Sequence, residues 1–494
     1  MIKQTACIMQ KVSQADKNSD QSHGESSGNP VQHLQSIVHI ESLLNRITLY
    51  LRQQTDNLPL IEHYPAEDLA QKLSLDLPEQ PCSEQALSDF VEQYLRYSVN
   101  TNHHGFVNQL WSKTLPSSFL GEVLAAATNT SIYTYEVAPV ATLLETEMIR
   151  WLTELVWSVS GDGIMTSGGT ASNLHALLIA RNNAHQDIKF RGIDQRRLAI
   201  FCSEDAHYSI KRAANILGFG MENVIEVKPG VDRSMDASGL CAAIDRSAAR
   251  GLEPFCVVAT AGTTVYGAYD KIGEIAAVSR QHKLWLHVDG ALGASVLFSA
   301  EHKKLMQGVV QADSLTWDFH KMLGMHLPCA FLLVKQTGLM KAVISTANDD
   351  YLFHESNPLD LGNKSLQCGR QVDIIKLWLS WLVLGRQGFN DRVDKLFALA
   401  RFASQYIDKN PDLVLVAPPI STNICFRFKR QKQKNMEVHV RDMMLRDGQY
   451  MLNYASDQDG TFFRLALTNA DLSEHQLKAM IDKITLIGRG SDVD

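Results

Sequence analysis

His320 and Lys321 stand side by side in the stretch Asp313 to Gly324, which reads DSLTWDFHKMLG. Leu315 and Trp317 alternate with polar neighbours, the period of a strand with one buried face, and an apolar run from Met322 to Leu327 follows. Burial disfavours an ammonium, so a lysine leaving a strand into an apolar pocket has a lowered pKa and a nucleophilic amine. Such an amine suits a Schiff base with pyridoxal phosphate. An isolated lysine at a strand end more often snorkels to solvent. Lys321 is not isolated.

Four upstream stretches could hold other parts of the same cofactor. Ser167, Gly168 and Gly169 form a turn before an amphipathic segment, where free N–H groups and the helix dipole favour a phosphate. By itself a Gly-Gly helix start is an ordinary tight turn. His207 lies in CSEDAHYS, after a strand, and its ring could stack on a flat cofactor; the plainer reading is a capping or core histidine. Thr263, in ATAGTTVYG, could bond near the ring substituents or belong to a simple Thr-Gly loop. Asp289 ends the apolar strand LWLHVD and costs energy there unless partnered. A pyridine nitrogen would partner it, and the acid would keep that nitrogen protonated and the ring electron-withdrawing. A helix cap is the alternative for Asp289. Ala291 is small enough to lie under a ring. Asp289 precedes Lys321 by 32 residues, about one strand-helix-strand unit.

The elements that must carry these residues are legible between about Asn100 and Arg386. Short apolar runs at Leu198–Cys202, Val224–Val227, Phe255–Thr260, Leu284–Val288, Leu315–Trp317 and Ala330–Val334 read as strands. Helical patterns at Ser172–Arg181, Ser209–Leu217, Ser238–Arg250 and Lys271–His282 separate several of them. That alternation predicts an α/β fold with a mostly parallel sheet covered on both faces, and ligands at the carboxyl ends of its strands. The chain divides into a flexible polar tail over 1–32, a helical arm over 33–99, a large domain over 100–386 and a small α+β domain over 387–494. In the arm, Ile37, Ile40, Leu43, Leu44, Ile47 and Leu51 form a helical stripe that needs a partner surface, such as that of another subunit, and Ser83 opens a second helix. The small domain begins with a long helix near Asp391–Lys409, and strands follow near Asn423–Phe428 and Phe462–Leu467.

With 47 basic and 54 acidic residues among 494, the net charge of -7 argues against nucleic-acid binding. Neither a membrane-spanning stretch nor a signal-peptide core stands out, and eight scattered cysteines without a CxxC pair fit reduced thiols in a cytoplasmic protein. Metal binding is not expected.

The order of these phrases resembles the fold-type I pyridoxal phosphate enzymes. More narrowly, the chain from about Leu95 onward is similar to the group II amino-acid decarboxylases of the glutamate and cysteine-sulfinate branch. The resemblance rests on RYSVNTNHHGFVNQL, ATNTSIYTYEVAPVATLLE, TSGGTASNLHALLIAR, ATAGTTVYGAYD, LWLHVDG, ADSLTWDFHK, SLQCGRQVDIIKLWLSW and FFRLAL. It implies that Lys321 binds the cofactor covalently, Asp289 pairs with the pyridine nitrogen and His207 stacks on the ring. Ser167, Gly168, Gly169 and His320 would hold the phosphate and Thr263 would orient the ring. Gln109 would lie on the substrate side, and Arg464 would take the substrate carboxylate. It further implies a homodimer with exchanged N-terminal segments, and decarboxylation of glutamate, aspartate or cysteine sulfinate. The alternatives are a 2,4-diaminobutyrate decarboxylase and an inactive, partner-binding homologue. This chain departs from the branch in reading HHGFVNQL where animal members read HPRFFNQL, and HVDGALGA where they read HVDAAWGG. The segment Tyr351 to Gly362 is shorter than their mobile loop and lacks its tyrosine, which leaves His354 as the nearest proton carrier beside His207 or water.

Overall fold

The structure, a computed structural model, describes residues 30–53, 58–73, 75–346, 353, 358–430 and 435–490, with backbone alone for 30–39. These fall into two compact units, residues 30–53 with 66–96, and residues 58–65 with 97–490. The first is helical: Pro30–Gln53, Ala66–Leu73 and most of Glu84–Tyr97. The first helix begins at Pro30, inside the expected tail, because proline's fixed φ suits a first turn; the remainder of that tail lies outside the described residues. Ser83 caps the third helix by accepting from the Ala86 N–H. Ile40 and Leu44 of the apolar stripe are more than half exposed.

In the second unit β1 (Phe106–Val107), β2 (Asp162–Thr166), β3 (Leu198–Ser203), β4 (Val224–Val227), β5 (Glu253–Thr260), β6 (Trp285–Asp289), β7 (Ser314–Asp318), β8 (Ala330–Val334), β9 (Leu413–Leu415), β10 (Asn423–Phe428), β11 (Met451–Asp457) and β12 (Gly460–Ala466) build two sheets. The larger runs β2-β8-β7-β6-β5-β3-β4, all parallel except β8, which opposes both neighbours. Its strands are almost wholly buried, as continuous Val/Ile/Leu/Phe runs require of a sheet covered on both faces. Along β7 the alternation is decisive. Leu315 and Trp317 enter the main core, where the Trp317 ring stacks on Phe319 at 4.8 Å. Burying side chains of this size contributes about 1.5–3 kcal/mol each. Thr316 and Asp318 turn the other way, toward the helix Gly169–Ala184.

The smaller sheet runs β1-β11-β12-β10-β9, with β1 parallel to β11 and the rest antiparallel. Helices Met436–Arg446, Glu474–Gly490 and the second half of Ile374–Lys409 cover it. The last of these breaks at Gly385, whose φ of 59° ends the first helical segment. Two features depart from the expected ranges. Strand β1 lies within 100–386 yet pairs with Met451 and Leu452. Leu60, within 33–99, donates its N–H to Gly448 and accepts from Asn100, so this short stretch is built into the main body. Arg392 joins the segment after β7 to the segment after β12. Its Nε donates to the Met322 carbonyl (2.8 Å) and its Nη2 to that of Thr468 (3.0 Å). Burial lowers this guanidinium's pKa to about 10. No helix among the described residues is long and apolar enough to cross a membrane.

Candidate active site

The sequence-predicted residues converge at the carboxyl ends of the parallel strands, the usual ligand edge of such sheets. A pocket of about 530 Å³ there is lined by Gln109, Ser167, Gly168, Gly169, His207, Asp289, Ala291, His320, Lys321 and Arg464. Thr263 is not among its lining residues: its Oγ1 accepts from the Ala268 N–H within its own turn, and Thr260, Gly262 and Thr264 line the pocket instead. No cluster of metal-ligating side chains occurs among the described residues.

The turn after β2 is shaped by two glycines. Gly168 has φ 134°, a conformation open in practice to glycine alone. A Cβ on Gly169 would stand 2.8 Å from Asp318 Oδ2 and 3.1 Å from Ala291 Cβ. No side chain caps the helix that starts here, so its first N–H groups face the pocket without a side-chain acceptor.

Asp289, the last residue of β6, is held from two sides. Asn173 donates from Nδ2 to its Oδ2 (2.8 Å), and the Ala291 N–H donates to its Oδ1 (3.1 Å). Asn173 is fixed in turn. Its Oδ1 accepts from Thr316 Oγ1 at 2.8 Å and lies 3.0 Å from His287 Nε2, while Nδ2 also reaches Ser209 Oγ. Ser314 Oγ accepts from Trp285 Nε1 and bonds His287 Nδ1. Complete burial lowers the His287 pKa to about 4, so this ring is neutral at pH 7 and sets no cation beside the acid. Asn173 escapes a sequence reading that follows glycines and acids; its signal is a polar residue one turn into an otherwise apolar helix face.

Lys321 does not enter an apolar pocket. Its Nζ lies 3.2 Å from Oδ2 of Asp318, and the lysine side chain keeps 19% of its exposure. Asp318 is the residue that the apolar-pocket expectation overlooks, although it ends β7 as Asp289 ends β6. His320 is buried, with Nδ1 against the Cys329 backbone and Nε2 3.6 Å from Asp318 Oδ2. Burial pushes its pKa down, and that of His207 as well. Arg464 faces the same pocket from β12. Its Nη1 donates to Thr264 O and its Nη2 to Asn108 O, while its buried Nε has no partner. Asn453 sits opposite it in the register, and Trp111 and Tyr208 complete the wall. His354 and Tyr351 lie outside the described residues.

The model of the pyridoxal-dependent decarboxylase conserved domain matches residues 66–429. This chain belongs to that decarboxylase family. It is 38% identical to the human cysteine sulfinic acid decarboxylase over 442 residues, covering 86% of this chain and 90% of that one. It is 36% identical to the acidic amino acid decarboxylase GADL1 of Bos taurus, covering 88% and 87%. Among solved structures, mouse CSAD superposes with a TM-score of 0.88 at 35% identity, over 93% of this chain and 99% of that one. The glutamate decarboxylase domain of a diaminobutyrate-pyruvate transaminase and L-2,4-diaminobutyrate decarboxylase from Vibrio parahaemolyticus gives 0.79 at 25%, over 95% and 97%.

The decarboxylase uses pyridoxal phosphate, and the residues present fit that group. The uncapped helix start behind Gly168 and Gly169 suits the phosphate, and the buried Asp289, with no cation in contact, suits a protonated ring nitrogen. Lys321 lines the same cavity with an amine for the aldehyde.

Proposed function

We propose that this decarboxylase removes the α-carboxylate of an L-amino acid that carries a second acidic group: cysteine sulfinate, aspartate or glutamate. The observation that carries the reading is the shared pocket of Lys321, Asp289 and Arg464. Bound pyridoxal phosphate supplies an electron sink for the bond that breaks. Lys321 would hold the cofactor covalently, the turn of Ser167, Gly168 and Gly169 with His320 would hold its phosphate, and the small side chain of Ala291 would leave room for its ring. Asp289, oriented by Asn173, keeps the ring nitrogen protonated. His207, whose burial disfavours its charged form, would stack on the ring. Arg464 binds a substrate carboxylate. The carbonyls of Thr264 and Asn108 fix its plane and leave each terminal nitrogen a further proton to donate. Gln109 adds a substrate-side amide.

Assays of amine and CO2 release from cysteine sulfinate, aspartate, glutamate and 2,4-diaminobutyrate test this. One of the three acids is expected to give the highest kcat/KM, and Arg464→Lys to lower it mainly through KM. Preference for 2,4-diaminobutyrate would overturn the substrate class.

The active form we infer is a homodimer. Leu120, Val123 and Leu124 on helix Pro116–Thr128, with Val140 and Leu143 on Pro139–Trp157, are each 41% or more exposed. A contiguous apolar face of this kind supports a self-complementary contact. The exposed stripe of Ile40 and Leu44 supports a role of the N-terminal helices in the same assembly. A cytoplasmic location is supported by the cysteines, all seven of the described ones being free.

A further inference from the structure

Asp318 ends β7 with its carboxyl group against the glycine turn. Oδ2 lies 2.8 Å from the position a Cβ on Gly169 would take, 3.2 Å from Lys321 Nζ and 3.6 Å from His320 Nε2. Oδ1 is buried and has no hydrogen-bond partner. The side chain is 2% exposed. An uncapped helix start suits an anion, yet a carboxylate overlooks it, and the single charge of Lys321 beside that carboxylate cannot balance both it and a phosphate. Other titratable groups facing Asp318 offer no compensating charge. Burial disfavours the charged forms of His320, His207 and the Cys329 thiol, and Lys376, the other cation acting on His320 and Cys329, is paired with Asp373 and Glu122. Arg464 is committed to the carbonyls of Thr264 and Asn108. A phosphate at this turn therefore meets a second buried anion, and two such anions at close range do not both stay fully ionised.

We propose that Asp318 makes seating of the cofactor phosphate proton-coupled: its carboxyl group takes one proton from solvent as the phosphate settles on the Ser167–Gly169 turn, and Oδ1 then donates that O–H to a phosphate oxygen. No other bond changes. The proposal rests on the reading of that turn as the phosphate site. Asp318 is a positioning residue here, since it acts through the phosphate and not on the reacting bond. The sign follows from linkage. A carboxyl group whose pKa is higher in the complex favours binding at low pH, and affinity is lost as pH rises, by at most tenfold per unit for one proton.

The test compares pyridoxamine phosphate with pyridoxamine, neither of which condenses with Lys321, on the full-length cofactor-free enzyme. Titrations from about pH 7 to about pH 8.5 keep clear of the phosphate's own pKa near 6. For the wild type, the ratio of the two affinities is expected to fall by close to tenfold per pH unit. For Asp318→Asn it is expected to stay flat and to exceed the wild-type ratio about tenfold at the upper pH. A flat wild-type ratio, or an equal slope in Asp318→Asn, overturns the proposal. A ratio near one at every pH in both proteins instead refutes the phosphate site itself. Should Asp318→Asn not fold, proton uptake by the wild type decides. In weak buffer with an indicator dye, pyridoxamine phosphate should take up about one proton more than pyridoxamine. Equal uptake overturns the proposal without any variant.

Discussion

Replacing Asp289 by asparagine separates charge from hydrogen bonding in this site. Both carboxylate oxygens accept bonds from fixed donors, Asn173 Nδ2 at 2.8 Å and the Ala291 N–H at 3.1 Å. An asparagine offers one oxygen, so whichever way its amide turns, its NH2 group faces one of these donors. A buried donor left without an acceptor costs about 1–3 kcal/mol, and Asp289→Asn should lose that much stability in urea denaturation. On the proposed reading, loss of the carboxylate also removes the charge that keeps the ring nitrogen protonated. Turnover should fall on the order of a hundredfold or more, as when a fixed electrostatic partner of the transition state is removed. The exchange Asn173→Asp with Asp289→Asn tells the two effects apart. An acid at 173 can accept from the new amide at 289, and Ser209 can rotate its hydroxyl to donate, so most of the lost stability should return. The negative charge now sits one side chain farther from the ring, so turnover should stay low. Recovery of turnover in the exchanged protein, or near-wild-type turnover in Asp289→Asn alone, would refute the assignment of Asp289 to the ring nitrogen.

Three further outcomes are expected. Lys321→Ala should abolish both turnover and the visible absorbance band of bound cofactor, and normal turnover in it would sink the attachment point. Leu143→Glu combined with Val140→Glu buries two charges in the proposed subunit contact, so sedimentation should show monomers; an unchanged dimer would move the interface elsewhere. His354→Phe tests the proton delivered to Cα. If His354 is the donor, the variant should form amine more slowly and give more aldehyde and pyridoxamine phosphate, whereas an unchanged rate and product ratio removes it from the mechanism.

The strands that lead to His207, Asp289 and Lys321 could be read from sequence, β3 as a continuous apolar run, β6 as a run broken only by His287, and β7 by the alternation of Leu315 and Trp317 with polar residues. Strand β2 could not. Its five residues, DGIMT, hold only two large apolar side chains, and Gly163 serves there because a Cβ would stand 2.9 Å from the Leu332 carbonyl. The reversal of β8 also left no trace, since a buried strand has the same composition in either direction. At the site, residue types were informative and side-chain commitments were not. Thr263 spends its hydroxyl on its own turn, and Lys321 meets a carboxylate three residues upstream that reads as an ordinary strand end. The pairing of β1 with β11 joins residues too far apart in sequence for any local pattern to record it.

That pairing bears on how the protein is made. Arg464 donates to the carbonyl of Asn108, 356 residues away in the chain. Strand β1 finds its partner β11 only when residues 451–457 have emerged from the ribosome. Every strand of the larger sheet has been synthesised by then, and so have the glycine turn, Asp289 and Lys321. A nascent chain can thus own a complete cofactor edge while its substrate wall is still missing. Closing contacts of such high sequence separation is slow, because the loop-closure entropy comes before any reward. Truncation just before Arg464 should therefore leave a protein that still captures pyridoxal phosphate but never turns over, a division of labour between early and late parts of the chain.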